Sequence, residues 1–376
     1  MGTAEPHAGA ALAGATPRPG LVRPAWLPNH VRGLDTLRGL AILLVLLFHC
    51  QRRLGPLHLS GIAAWGWSGV NLFFVLSGFL ITGIVLDARP RGRFFAGFYA
   101  RRGLRILPVY ILVVPINYWI FGRANTWSRP GAVWPYFTFF VQNLVPGLTG
   151  TIEPTWSLAI EEQFYLLWAP IARRLPVAAL FAIPLTLLGA EPWIRRHAHG
   201  LPATHTLVHL DGLALGALIA LGMRAWAWTP RQWMRVGYAA IALGAGLWLF
   251  ANRGRGSYLD TALAILFGGL VVLAAVRASG GPGRYDGWWR PVRYLGTISY
   301  GLYLTHMLVF AYLGGWEARL LHILPPAAAS LAVIAMRWSA AILVASLLWF
   351  YFERPILGLK RYWTPERGAT RAKAAA

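Results

Sequence analysis

Long apolar stretches separated by short polar connections run through most of the chain. Ten of them approach the roughly 20 residues that an α-helix needs to cross a bilayer. These stretches are residues 34–51, 66–86, 106–121, 156–172, 177–190, 207–223, 236–251, 259–276, 294–315 and 328–352. A further apolar piece, residues 132–146, is short and contains Pro135. The pattern predicts an all-α fold, a polytopic membrane helix bundle of about ten transmembrane helices.

The basic residues favour one arrangement of these helices in the membrane. With ten spans and a cytoplasmic N-terminus, 25 of the 35 lysines and arginines fall on the cytoplasmic side and 9 on the other. This distribution obeys the positive-inside rule. If residues 132–146 crossed the membrane fully, every later loop would change sides, and the excess of basic residues on the cytoplasmic side would be lost. We therefore predict a short re-entrant or interfacial segment there, with both termini in the cytoplasm.

Composition agrees with a membrane protein and restricts its partners. Hydrophobic residues make up 57% of the chain and charged residues 13%, whereas soluble domains carry roughly 25% charged residues. The net charge of +22 favours an anionic partner such as a lipid headgroup, a phosphate or nucleic acid. Nucleic acid is disfavoured because the arginines are distributed by membrane side. The one cysteine, Cys50, excludes an intrachain disulfide and is interpreted as a small buried residue, and no Cys/His spacing predicts a metal site.

Three regions follow from these patterns. Residues 1–31 are rich in Ala, Pro and Gly and lack the apolar run of a cleavable signal. They are predicted to be a disordered cytoplasmic segment. Residues 32–355 form the membrane domain, and residues 356–376 a basic cytoplasmic tail.

Ionisable side chains inside membrane spans are energetically costly, and each is therefore a functional candidate. In the first span, Asp35 and Arg38 lie near the inner end and His49 near the outer end. Arg38 and His49 are 11 residues apart, which places them within about 20° of the same helix face and about 16.5 Å apart along the axis. Asp35 is expected to orient Arg38. The structural alternative is an arginine anchored at the headgroups and a histidine bonded to a backbone carbonyl.

Six arginines lie between the second and third spans, and most of them are expected to form a solvated cytoplasmic face. Arg102 and Arg105 stand about one helical turn apart, directly before the apolar run of the third span. Together with Arg38 they would form a guanidinium cluster suited to bidentate phosphate binding. A lipid phosphate and a nucleotide cofactor both fit such a cluster.

The fourth span carries two adjacent acids, Glu161 and Glu162, about five residues inside its outer boundary. Their side chains point about 100° apart, so one of them at most faces a given site. By depth, the inward acid is expected level with His49, where a carboxylate could orient the imidazole as a general base. Asp35 cannot do so, because it lies about 21 Å from His49 along the helix.

Other polar residues within spans are candidates, although each also fits a packed polar group. They are Ser77, Asp211, His306 and Arg337. Ser77 has no His or Asp at nucleophile-elbow spacing, and its pairing with Gly78 is typical of close helix packing.

Six motifs occur together in one order: the Arg38 to His49 spacing, GVNLFFVLSGFLIT, RRGLRILPVY, TWSLAIEEQFYLLW, HLDGLALGALIA and ISYGLYLTHMLVF. In this the chain resembles acyltransferase family 3, over roughly residues 32–355. These are bacterial integral-membrane acyltransferases, mostly O-acetyltransferases acting on carbohydrates. Each motif alone is weak, but their joint occurrence is specific.

The resemblance implies roles for particular residues. Arg38 and His49 match the family's essential Arg and His, and Arg102 and Arg105 match a pair implicated in acyl-CoA binding. Glu161 matches the acid of the family's WSLxxE motif, which leaves Glu162 as the bystander. We accordingly predict three sets of site residues. The catalytic set is His49, Glu161 and Arg38, the donor-binding set is Arg38, Arg102 and Arg105, and the substrate-binding set is Asp35, Ser77, Asp211 and His306.

The chain departs from the family pattern at two positions. Asn71 stands where many relatives have an acid, so an aspartate role there is excluded. His209 stands where many have an arginine, which puts any role of that position and of Asp211 in doubt.

The predicted function is transfer of an acyl group, by family frequency acetyl, from cytoplasmic acyl-CoA to a hydroxyl of a glycan or glycolipid in the bacterial inner membrane. His49 acts as general base or transient acyl carrier, Glu161 fixes its tautomer, and the arginines and His49 open into one continuous cavity. Acyl-CoA is a donor substrate, and no metal is expected. Lipopolysaccharide, other surface polysaccharides and a glycosylated small molecule such as a macrolide stay open as acceptors.

An alternative from another class is a proton-coupled transporter or a lipid-binding membrane protein, in which the same polar residues line a path. It is disfavoured because no inverted repeat and no matching pair of broken helices is recognisable.

Overall fold

The computed structural model describes residues 20–88, 94–122, 130–145, 148, 154–278 and 286–363. Within these residues the fold is all-α, as the apolar pattern predicts. These ranges contain fourteen α-helices: α1 Arg32–His49, α2 Ser60–Ala64, α3 Ser68–Asp87, α4 Phe94–Asn117, α5 Pro130–Thr138, α6 Thr155–Arg174, α7 Val177–His197, α8 Asp211–Ala225, α9 Pro230–Ala251, α10 Leu259–Arg277, α11 Arg290–Tyr312, α12 Gly314–Ile323, α13 Pro326–Leu348 and α14 Arg354–Gly358.

Ten of these helices have 15 or more residues, and each overlaps one predicted span. Six helices in the described ranges are long and apolar enough to cross a membrane, or seven if α1 is counted with the turn that follows it at a 74° bend. The protein is therefore a multi-pass membrane protein, while the predicted count of about ten spans is not confirmed by this criterion.

Burial separates central helices from peripheral ones. In the spans that contain α3 and α10, 67% of the most apolar 18-residue window is buried, against 17% in those of α7, α9 and α13. Apolar side chains on the outside of a bundle face lipid as readily as apolar side chains inside face each other. The central position of α3 matters for function, because this helix lines the candidate site described below.

Glycines set the closest helix contacts. A methyl group at Gly296 of α11 would overlap the backbone oxygen of Asp35 in α1. One at Gly78 of α3 would overlap the backbone oxygen of Leu213 in α8. Small residues allow helix backbones to approach at such points. In the Ser77-Gly78 pair, Gly78 is therefore the residue that packs closely on α8, and its neighbour Ser77 faces another helix.

Two segments differ from the predicted boundaries. Helix α4 begins at Phe94, well before the predicted start at residue 106, so the arginines at 101, 102 and 105 lie within the helix. In the segment 132–146 a short helix, α5, is followed by a single turn at Gln142–Leu144. This segment does not form a membrane-spanning helix in its described part.

The C-terminal part of the membrane domain ends in an unusual turn. Helix α13 passes into a π-helical turn, Trp349–Glu353, and then into α14 and a 3-10 turn, Leu359–Trp363. Both α14 and the 3-10 turn pack against α4. The first part of the predicted tail 356–376 is thus helical and docked on the bundle. Its remainder, and most of the predicted disordered segment 1–31, lie outside the described residues.

The substitution Gly296→Ala tests the close contact of α1 with α11. The added methyl group meets backbone that cannot rotate away, so we expect a loss of about 1–3 kcal/mol of folding free energy or more. Thermal unfolding of the purified protein in detergent measures this loss as a lowered melting temperature. The matched control is Gly189→Ala in α7, where nothing lies within 4 Å of the added methyl. Equal melting temperatures for the two variants would contradict this packing.

Candidate active site

A cavity of about 350 Å³ lies inside the bundle. Helices α1, α3, α4, α6 and α11 and the turn Leu359–Trp363 all contribute to its wall. Along α3 the lining runs from Val70 to Ile84, which is about 21 Å of helix. The cavity is therefore long and parallel to the bundle axis.

Basic side chains dominate the charge of this cavity. Among the described residues, five basic side chains line it, and Glu161 is the one acidic side chain in the lining. The five are Arg38, Arg101, Arg102, Arg105 and Lys360. The arginines that the sequence groups as a phosphate site, Arg38, Arg102 and Arg105, thus meet in one space. Such a concentration of guanidinium groups in an apolar surrounding attracts an anionic ligand.

Two of these arginines are held by neighbouring side chains. Arg38 donates to Asp35 over 2.9 Å, as their spacing predicts, and the other oxygen of Asp35 lies 3.1 Å from His30. The guanidinium of Arg102 lies 3.7 Å from the ring centre of Tyr165 and 3.7 Å from a carboxylate oxygen of Glu162. Asp35 therefore serves to orient Arg38, and Glu162 is an ionic neighbour of Arg102.

A chain of hydrogen bonds crosses the middle of the cavity. Ser77 donates to one carboxylate oxygen of Glu161 over 2.8 Å, and the hydroxyl of Tyr165 donates to the other over 2.7 Å. All three residues line the cavity. The structure therefore places the predicted residues Ser77 and Glu161 beside the arginines.

Glu161 does not contact His49, and the predicted pair of these two residues is wrong in this structure. Gly69, near the start of α3, packs on Ala41, Leu44 and Val45 in the second half of α1. Ser77 lies eight residues further along α3, about 12 Å nearer the start of α1. Glu161 accepts from Ser77, so it lies level with the first half of α1. The prediction failed because the depth of Glu161 in the membrane was inferred from the end of its apolar stretch, whereas contacts between helices determine that depth.

His49 lies outside the cavity and packs against another predicted residue, His306. The two ring centres are 4.9 Å apart. The His306 ring lies 6.0 Å from that of Tyr303, and Phe73 packs edge-on against Tyr303 at 6.0 Å. Phe73 and Tyr303 both line the cavity. The predicted continuous cavity from the arginines to His49 is therefore wrong here, because aromatic side chains of α3 and α11 close it.

The polar group of the cavity nearest to this wall is a pair of hydroxyls. The oxygens of Ser157 and Tyr303 are 2.6 Å apart. Sequence reasoning did not select either residue, although both lie inside the quoted motifs TWSLAI and ISYGLYLTH. Lys360 was missed too, because it was assigned to the cytoplasmic tail. A tyrosine and a serine carry no charge, so they give no signal in a search for costly ionisable groups.

Asp211 belongs to a different, buried cluster and does not line the cavity. It accepts from Arg195 over 2.5 Å and from Thr261 over 2.8 Å. Arg195 also lies 3.4 Å from both Glu191 and Asp260. The predicted substrate-binding role of Asp211 is thus not supported by its position, which joins α7, α8 and α10.

Arg337 has a structural partner as well. It forms a 2.6 Å ion pair with Glu317 of α12, and Glu317 also pairs with Arg53. Arg337 donates in addition to the backbone oxygen of His49 over 3.4 Å. The arginine therefore joins α13 and α12 to the last residue of α1.

Comparison with known proteins gives a family match for most of the chain. The family model described as "Acyltransferase domain" matches residues 31–351. The chain is 26% identical to the peptidoglycan O-acetyltransferase OatA of Listeria monocytogenes, over 87% of this chain and 56% of that protein. It is 25% identical to the O-acetyltransferase OatA of Staphylococcus aureus, over 77% of this chain and 52% of that protein. The chain thus spans about half the length of these curated relatives. No solved structure matches it.

The substitution Asp211→Ala tests whether the buried cluster is structural. Removing the carboxylate leaves Arg195 without a main partner in an apolar interior, and breaking a buried pair in this way typically costs about 3–5 kcal/mol. We expect a lower melting temperature in detergent and unchanged donor affinity in the protein that stays folded. The control is Asp286→Ala, which removes more exposed ion pairs of Arg293 and Arg32 and should cost less than about 1 kcal/mol. A stable Asp211→Ala protein that has lost donor binding would contradict this assignment.

Proposed function

The chain belongs to this acyltransferase family, and we propose that it transfers an acyl group from acyl-CoA to a hydroxyl of a glycan. The group is most simply acetyl, because the relatives are named O-acetyltransferases. The observation that carries the proposal is the long cavity with five basic side chains, closed by Phe73 and Tyr303, behind which the His49–His306 pair lies. Such a space suits a long donor with a strongly anionic end and a reactive thioester at the other.

The basic side chains would hold the phosphates of acyl-CoA. Guanidinium groups bind phosphate oxygens through two parallel hydrogen bonds, which gives both affinity and orientation. Arg102 supports this role because its Nε has no hydrogen-bond partner among the described residues. Its stacking on Tyr165 fixes the plane of the guanidinium. Arg105 and Lys360 would add charge to the same end.

The far end of the cavity would hold the thioester near the acceptor hydroxyl. His49 would take the proton of that hydroxyl, the oxygen would attack the thioester carbonyl, and the CoA thiolate would leave with the proton. General-base assistance of this kind typically contributes 10² to 10⁴-fold. Because Tyr303 and Phe73 separate the cavity from His49, the reaction requires a rotation of one of these side chains. A covalent acyl-imidazole on His49 is the other route, and it would leave an acylated protein after donor addition without acceptor.

The acceptor is proposed to be a glycan that reaches the membrane surface. A relative with this domain is named for peptidoglycan, which supports a cell-wall glycan as the first candidate. Mass spectrometry of surface glycans from cells that carry the wild-type gene or a His49→Ala gene tests this proposal. Loss of O-acetyl groups in the variant cells supports it, and identical glycans contradict it.

The division of labour in the site can be tested with three variants. We expect His49→Ala to abolish acyl transfer while acyl-CoA affinity is nearly retained. We expect Arg102→Ala and Arg105→Ala mainly to weaken acyl-CoA binding, by about tenfold or more each, because a charge-assisted hydrogen bond typically contributes about 1.5–3 kcal/mol. Isothermal titration with acyl-CoA and a transfer assay on the purified protein measure both quantities.

The matched control for the arginine variants is Arg319→Ala, on the exposed face of α12. It removes one positive charge without touching the cavity, so binding and transfer should stay at the wild-type level. An equal loss of donor binding in His49→Ala, Arg102→Ala and Arg105→Ala would defeat the proposed division.

A further inference from the structure

We propose that His306 is the positioning residue of His49, in the role that the sequence suggests for Glu161. The proposal rests on the proposed function, since it concerns the base of that reaction. It is carried by the hydrogen bonding and burial of the two imidazole rings and by the commitments of two acids.

The backbone of α11 fixes the protonation of one His306 nitrogen. Nδ1 lies 2.7 Å from the backbone oxygen of Tyr303 and 3.2 Å from that of Leu302. A carbonyl oxygen accepts hydrogen bonds and cannot donate them, so Nδ1 must carry a proton. In the neutral ring Nε2 is then an acceptor with a free lone pair.

That acceptor has no partner. His306 is 0% exposed, and its Nε2 makes no hydrogen bond to any of the described residues. Buried polar atoms in folded proteins are nearly always hydrogen-bonded, and an exception calls for a physical reason. An apolar ring could fill the same space without leaving a buried acceptor unpaired, so packing alone does not explain a histidine here.

The neighbouring ring supplies the reason. The ring of His49 lies in contact with that of His306, at 4.9 Å between centres and an interplanar angle of 53°. A small rotation of His49, or one bridging water, would allow an N–H of His49 to donate to Nε2 of His306. His49 would then hold a single tautomer, with its other nitrogen free to accept a proton from substrate.

Two carboxylates that could be considered for this role are committed elsewhere. Glu161 accepts from Ser77 and Tyr165, and Glu317 pairs with Arg337 and Arg53. Arg337 donates to the backbone oxygen of His49. Among the described residues, His306 is therefore a side chain in ring contact with His49 that offers it a buried acceptor without a partner.

Tyr303 connects this pair to the donor cavity. Its carbonyl accepts from His306, and its hydroxyl lies 2.6 Å from Ser157. A movement of Tyr303 that opened the wall would start from the same turn of α11 that fixes His306. The orientation of the base and access to the donor would thus depend on one helical turn.

A kinetic comparison of two variants tests the proposal. We expect His306→Leu to lower kcat by on the order of 10²-fold with an unchanged KM for acyl-CoA, because the donor site is not touched. We expect His306→Gln to recover most of that loss, since its amide oxygen restores an acceptor. The control is His322→Gln on the exposed face of α12, which should behave as wild type. Wild-type kcat in His306→Leu, or His306→Gln no better than His306→Leu, would overturn the proposal.

A spectroscopic test is independent of turnover. In protein with ¹⁵N-labelled histidine, signals assigned by the His49→Gln and His306→Gln variants should show His306 protonated at Nδ1 and His49 in one tautomer. His49 should become a mixture of tautomers in His306→Leu. Protonation of His306 at Nε2, or an unchanged His49 signal, would refute the pairing. If the pairing is observed and the wild type transfers no acyl group, the proposed function fails and the pairing stands.

Discussion

Charge inside an apolar bundle must be compensated, and this constraint separates the structural polar residues from the candidate site. Three arginines of the interior are fully engaged: Arg195 with Asp211, Arg224 with Asp87, and Arg337 with Glu317. The first and third pairs join consecutive helices, α7 with α8 and α12 with α13, and the second joins α8 to α3. Around the cavity the arrangement is different, because five basic side chains and one acid line it, while Asp35 and Glu162 pair with Arg38 and Arg102 from outside the lining. Such a lining attracts an anionic ligand.

Helix α3 connects packing to chemistry. Gly78 brings its backbone against α8, while the preceding residue, Ser77, faces the cavity and hydrogen-bonds to Glu161 of α6. Close backbone contact on one face limits movement of the other face. The hydroxyl of Ser77 and the carboxylate of Glu161 are therefore held by the same contacts that stabilise the fold, and little local freedom is left at this level of the cavity.

The sequence predicted most of the bundle and part of the site. The all-α fold follows from apolar stretches of membrane-crossing length, and the approach of Arg38, Arg102 and Arg105 follows from their places near helix ends on one side. The relation of Glu161 to His49 could not be predicted, because it depends on the register between helices that are far apart in the sequence. Tyr303 was missed because it carries no charge, and Lys360 because it lies in the predicted tail; packing decides that both residues meet the cavity.

The π-helical turn at the end of α13 has a consequence for how this membrane domain tolerates insertions and deletions. Such a turn accommodates one residue more than an α-helical turn. Removing a residue from Trp349–Glu353 would restore regular geometry and rotate everything beyond it by about 100° around the helix axis. Glu353 would leave its buried position beside Gly301, and Lys360 would turn away from the lining. The extra residue sets the rotation of the following helix about its axis. The number of residues in this turn is therefore constrained more strictly than the identity of its exposed residues.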